Sequence, residues 1–210
     1  MREVWYVSYG SNMCRDRLLC YLQGGTPTGA TVCYPGARDR REPAHDVAVH
    51  LPGSLYFAGV SHVWGAGGMA FYDHDAPGPT PARAYRITVQ QFADVAAQEM
   101  HRLPGQGNPI EEILVSGLPE GRHEAGLGHY ETLLEVGERD GLPMYTFTAP
   151  FGMDDVAHTH PTEAYLMMLA TGLREAHDWD LERIRDYLRA RIAGTDAAER
   201  PATASALSAR

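Results

Sequence analysis

The sequence predicts a mixed α+β domain. Three observations carry this. Short runs rich in β-branched and aromatic residues, such as Val4-Trp5-Tyr6-Val7, alternate with turn signals along much of the chain. The turn Arg139-Asp140-Gly141 joins two strand-like runs in the manner of a hairpin. In the last helical segment Leu181, Ile184, Leu188 and Ile192 recur at helical spacing.

Taken in order, residues 4–9 read as a short buried strand broken by Gly10-Ser11-Asn12. A helix is predicted from about Met13 to Leu22, with Ser11 or Asn12 as N-cap and Gly24-Gly25 as its end. Residues 26–70 are turn-rich, with strand candidates at 47–51 and 55–57 and a glycine cluster at 65–68. Further strands are predicted at 68–72 and 83–87. Thr88 then caps a helix from Val89 to about Arg102, ended by Pro104-Gly105. Residues 105–127 give no clear pattern. A strand pair is predicted at 129–136 and 144–149, followed by helices at 162–177 and 180–192. Residues 194–210 are Ala/Thr/Ser-rich and aperiodic, and are expected to form a mobile tail after a domain of residues 1–193.

Composition excludes several function classes. With 210 residues and 44% apolar content, the chain can build a sizeable core. Its net charge is -9 and it contains no lysine, which rules out a lysine Schiff base and a P-loop lysine. The acidic balance argues against nucleic-acid binding. No apolar run approaches the ~20 residues that span a bilayer. The start, Met1-Arg2-Glu3-Val4, lacks a secretory h-region, and the three cysteines form no C-x-x-C pair; a reduced, cytoplasmic setting is expected.

Two local patterns suggest chemistry. On the helix beginning at Val89, Phe92, Ala96 and Leu103 share a face, and at ~100° per residue Glu99 lies near its centre. A carboxylate there is either a rim residue paired with Arg86 or Arg102, or a catalytic group that accepts and returns a proton. The second pattern is Tyr9-Gly10-Ser11-Asn12-Met13. A strand that turns through Gly-Ser-Asn into a helix leaves free backbone N–H groups, suited to a carboxylate or an oxyanion. The alternative is an ordinary N-cap.

These residues resemble the γ-glutamylcyclotransferase-like family. Residues 6–13 match its Y-G-S-N-[LM] strand-loop signature. Gly67-Gly68-Met69-Ala70 resembles its glycine-rich strand start, and Arg83-Ala84-Tyr85-Arg86-Ile87 its V-x-G-x-x-[YW] strand, with arginine where glycine is common. The spacing from Tyr85 to Glu99 fits that to the family's catalytic glutamate, although Met100 replaces the usual following glycine. Gly128-His129-Tyr130 resembles a strand start that places a site tyrosine, and Pro161 to Tyr165 resembles P-S-x-x-Y. The resemblance spans roughly residues 4–190.

It implies an α+β fold built on a small, partly closed mixed β-barrel with peripheral helices. It also implies an amine cyclotransferase, a C–N-cleaving lyase or acyltransferase that releases 5-oxoproline and a free amine from a small-molecule γ-glutamyl amide. Glu99 would be the general acid/base. Tyr9, Gly10, Ser11, Asn12, Met13 and Tyr130 would bind substrate, with no metal or cofactor, and the protein would be a monomer or homodimer. Tyr165 reads as a helix-packing residue. The rival readings are a non-catalytic binding member of the same fold, a metal-dependent hydrolase or deacylase using Asp154, Asp155, His158 and His160, and a Cys14 nucleophile at a helix N-terminus.

Overall fold

The computed structural model describes residues 2–61 and 63–198, with side chains up to residue 193. Eight strands are present among these residues: β1 (Glu3–Ser8), β2 (His45–Leu51), β3 (Ser54–Ala58), β4 (Met69–Asp73), β5 (Thr80–Thr88), β6 (Arg122–Glu124), β7 (Thr132–Arg139) and β8 (Leu142–Thr148). Six of them form one sheet in the order β2-β5-β1-β8-β7-β6, and β3 and β4 form a separate hairpin. Only β1 and β8 run parallel; the remaining pairs are antiparallel. Side chains join the hairpin to the sheet. Thr148 Oγ1 accepts from the Tyr72 N–H at 3.0 Å and donates to the Tyr72 carbonyl at 2.8 Å. The fold class is therefore α+β, with a mainly antiparallel sheet.

The central position of β1 explains its composition. Val4 and Tyr6 belong to one core cluster, while Trp5, Val7 and Tyr9 belong to another on the opposite face. A strand covered on both sides shows no apolar/polar alternation, as this one does not. The first core packs β1, β5 and β8 against helices α1 (Arg15–Gln23), α2 (Val89–Glu99) and α3 (Pro109–Ser116). The second packs the sheet and the β3–β4 hairpin against α4 (Glu163–His177) and α5 (Leu181–Ala198). Among the described residues no helix is long and apolar enough to cross a membrane.

Most elements lie where the sequence places them, and the departures have physical causes. Residues 11–13 form a short 3-10 turn rather than a helical start, and α1 begins at Arg15. Neither Ser11 nor Asn12 caps it, because the Asn12 amide is bonded across the fold to Tyr6 and Glu99. Helix α2 begins on a full Thr88–Gln91 capping box but stops at Glu99, three residues early. His101 takes a left-handed φ of 56°, the His101 N–H donates to Gln98 C=O and the Arg102 N–H to Ala97 C=O. This is a Schellman stop without its usual glycine, so a glycine search overruns it. Leu103 consequently lies outside the helix and is 81% exposed, which removes it from the apolar stripe.

Helix α3 falls in the segment that showed no pattern. Its signals are nonetheless present: the Asn108 side chain caps Ile110 N–H, Pro109 opens the helix and Gly117 ends it. β7 starts at Thr132, three residues late, because residues 126–131 wrap around the buried Glu131 carboxylate. That carboxylate accepts from Gly128 N–H at 2.7 Å and pairs with Arg102. The hairpin turn is as predicted, with positive φ at Asp140 and Gly141. Helix α5 continues to Ala198, past the expected boundary at 193, and residues 199–210 lie outside the described residues.

Candidate active site

A cavity of about 260 Å³ opens where the turn after β1, the end of α2, the start of β4 and the loop before β7 meet. It is smaller than the ~300–1,000 Å³ of sites that hold drug-sized ligands, so it suits a small molecule. Tyr9, Gly10, Ser11, Asn12, Glu99 and Tyr130 all line it. Of the sequence-predicted site residues, only Met13 does not. Met13 is fully buried beneath the turn and its N–H is bonded to the Gly10 carbonyl at 3.0 Å, so it supplies no free donor.

Glu99 is the last helical residue of α2 and is half-buried. A carboxylate at a helix C-terminus is disfavoured by the helix dipole, so local preference does not account for it there. Neither suggested arginine pairs with it: Arg86 binds Glu3 and Arg102 binds Glu131. Instead Asn12 Nδ2 donates to Glu99 Oε1 at 2.8 Å, and the same nitrogen lies 3.0 Å from the Tyr6 hydroxyl oxygen. Met100 leaves Glu99 room because it turns towards Gly128, where a Cβ would sit 2.2 Å from its Cε; its sulfur accepts the Tyr130 N–H at 3.4 Å.

The turn carrying Asn12 is held from below. The Met13 carbonyl accepts from Arg83 Nη1 at 3.0 Å and from the Tyr85 hydroxyl at 2.9 Å, while Arg83 is paired with Asp46 and Glu175. Arginine in place of the family's glycine is thus a clamp for the turn. Within the turn, Met13 N–H and Cys14 N–H bond to Gly10 and Ser11 carbonyls. Gly10, Ser11 and Asn12, the residues of the turn above these bonds, line the cavity.

Tyrosines supply much of the wall. The Tyr9 hydroxyl donates to Phe147 C=O and the Tyr130 hydroxyl to Ala70 C=O, both at 2.9 Å, so these two offer ring faces and oxygen lone pairs rather than a free donor. Tyr165, read from sequence as a packing residue, also lines the cavity, and its oxygen accepts from Ala70 N–H. Burial, and then the Glu99 carboxylate, pushes the Tyr165 phenol up to about 12. Burial raises Tyr6, Tyr9 and Tyr130 as well. All four remain neutral phenols at physiological pH.

Arg17 is the wall residue that sequence reasoning missed. It is 2% exposed and lies among Tyr21, Tyr34 and Trp64, with its guanidinium carbon 4.0, 4.6 and 5.7 Å from the three rings. The signal was available: Arg17 shares the buried helical face of Leu18, Tyr21 and Leu22, with no acidic residue one turn away. Burial works against its charge, but Tyr21, Glu99 and Tyr34 more than offset this and the net direction is upward. It stays a cation.

The rival constellations do not assemble. Asp155 accepts from Gly152 N–H, and the His158 ring bonds the Met153 carbonyl and stacks on Tyr56. Among the described residues, the metal-type grouping is instead Asp73, His74 and Asp75, off the cavity wall. Cys14 is buried away from the cavity and burial raises its thiol, so the helix N-terminus does not yield a thiolate.

No protein-family model matches the chain. It is 32% identical over 199 residues to Histone deacetylase 5 of Arabidopsis thaliana, covering 89% of this chain and 30% of that protein. The chain thus spans under a third of the curated relative's length. Among solved structures it aligns with a gamma-glutamyl cyclotransferase over 97% of this chain and 93% of that one, at 15% identity and a TM-score of 0.52. An uncharacterized human protein aligns over 99% of the chain at 15% identity and a TM-score of 0.49. With its six-stranded sheet, its hairpin and the Tyr9–Glu99 cavity, the chain has the gamma-glutamyl cyclotransferase-like fold.

Proposed function

We propose that the chain is a γ-glutamylcyclotransferase-type enzyme acting on a small γ-glutamyl amide. The observation that supports this most is Glu99: a half-buried carboxylate with no arginine in salt-bridge contact among the described residues, oriented by Asn12 beside the Gly10-Ser11-Asn12 turn in one cavity. Glu99 accepts a proton from the substrate's α-ammonium. The freed amine attacks the γ-carbonyl carbon, forming the ring C–N bond and a tetrahedral oxyanion. That oxyanion collapses and the C–N bond to the departing amine breaks; Glu99 returns the first proton to the departing nitrogen and then carries the second proton from the ring nitrogen to it, so the products are the neutral lactam and an ammonium ion. No water or cofactor enters the balance. Because the attack is intramolecular, orientation supplies much of the acceleration, and each aligned donor to the oxyanion contributes about 3 kcal/mol.

Glu99→Gln tests this. The variant should keep its melting temperature and its Asn12 contact yet lose 5-oxoproline release from γ-glutamyl amides, followed by mass spectrometry. Activity retained in the variant would remove the mechanism. The similarity to a histone deacetylase suggests a different amide cleavage; release of acetate from an acetylated peptide, with no 5-oxoproline from any γ-glutamyl amide, would favour that reading. A non-catalytic member would bind 5-oxoproline without turnover.

A further inference from the structure

The cavity wall carries buried polar atoms that nothing in the fold satisfies. Arg17 Nη2 meets the Tyr21 hydroxyl at 2.5 Å and the Tyr34 hydroxyl at 3.2 Å, but Arg17 Nε and Nη1 have no acceptor. Asn12 Oδ1, on the same wall, has no donor. An unsatisfied buried charged group costs more than an ordinary missing bond, and native folds leave few such groups. Nε–H and Nη1–H point from different edges of the guanidinium, so a carboxylate oxygen takes one of these unmet donors in a charge-assisted hydrogen bond. An orphan acceptor beside Glu99 matches an ammonium.

We propose that Arg17 seats the α-carboxylate of the γ-glutamyl group, while Asn12 Oδ1 and Glu99 receive its α-ammonium. That the carboxylate belongs to a γ-glutamyl group rests on the cyclotransferase reading; that the cavity holds a seat for an anion does not. The assignment leaves the Gly10-Ser11-Asn12 turn to the developing oxyanion alone. Both orphan nitrogens are fully buried, so binding includes a turn of the guanidinium towards the cavity. Tyr21, Tyr34 and Trp64 exclude water from the ion pair and strengthen it.

Calorimetry of the full chain with 5-oxoproline, with its carboxamide, with L-glutamine, succinate and acetate tests this, alongside Arg17→Met and Arg17→Lys. Wild type should prefer 5-oxoproline to its carboxamide by roughly ten- to a hundredfold. Arg17→Met should abolish that preference and Arg17→Lys should keep part of it. Should either variant fail to fold, the Arg17 Nε–H resonance of wild type decides: it should shift with 5-oxoproline and not with the carboxamide. A preference that survives Arg17→Met, or a resonance that stays still while 5-oxoproline binds, overturns the assignment and leaves the cyclotransferase reading standing. Arg17-dependent binding of succinate or acetate, with none of 5-oxoproline or L-glutamine, keeps the anion seat and removes the cyclotransferase reading. No binding of any carboxylate removes the seat.

Discussion

Alanine is a better helix former than glycine by about 1 kcal/mol, yet Gly172→Ala in α4 should destabilise this protein. A Cβ at Gly172 would lie 2.5 Å from Met13 Cβ, 2.6 Å from Cys14 N and 2.7 Å from the Met13 carbonyl carbon. Carbon atoms in contact sit ~3.5–4.0 Å apart. Two of the three obstructing atoms are backbone, so no rotamer change relieves the clash; helix and turn must separate by about 1 Å on that scale. Overpacking of this kind costs about 1–3 kcal/mol or more. Because the obstructing backbone cannot step aside, the upper half of that range applies, about 2–3 kcal/mol; less the helical gain of about 1 kcal/mol, the net loss is about 1–2 kcal/mol, or a fall of roughly 2–8 °C in melting temperature. The same displacement moves Asn12, whose contact with Glu99 is 2.8 Å. A misplacement of this size lowers catalysis by roughly a hundredfold. Calorimetric melting and 5-oxoproline release should therefore fall together. A raised melting temperature with unchanged activity would refute the argument that α4 presses on the turn.

Asn12→Leu removes the bond to Glu99 and should lower kcat/KM for 5-oxoproline release roughly ten- to a hundredfold, the worth of a hydrogen bond to a charged group, while circular dichroism shows a folded protein. Asp94 is fully buried, pairs with Arg38 and also accepts the Arg38 backbone N–H at 2.9 Å; Asp94→Ala should cost about 2–3 kcal/mol in urea unfolding, below the ~3–5 kcal/mol of a fully buried pair because Arg38 keeps Glu111 and some solvent. Burial, and then the neighbouring His50, holds the His177 imidazole below its ordinary value of 6.5. Its folded state favours the neutral ring, so this contribution is present above about pH 6.5 and is lost as pH falls through the folded value. The urea midpoint of wild type should therefore fall more steeply below about pH 6.5 than that of His177→Gln.

Much of the fold was legible because its signals are local. The Thr88 cap, the start of a helix near residue 162 and the Asp140-Gly141 turn each depend on a few adjacent residues, and each appears where the sequence places it. The misreadings share a cause: a local signal answered to a distant partner. Asn12 has the chemistry of an N-cap, but Glu99 is 87 residues away and takes its amide instead. Helix α2 stops at Glu99 through backbone bonds around a left-handed His101, a position where side-chain identity gives little warning. Tyr165 looks like packing until α4 is laid against the β1 turn.

By itself the sequence determined an α+β chain, the strand-turn motif at residues 6–13 and a carboxylate out of keeping with its helix. Periodicity and turn chemistry are written within a few residues and need no tertiary knowledge to read. Only the tertiary structure decided what those features do together. It brought Asn12 onto Glu99, removed both candidate arginines to other carboxylates, turned Met13 away from the cavity and enclosed Arg17 in aromatic rings. Those outcomes depend on which groups remain unpaired after the whole chain has packed, and that is a property of no single segment.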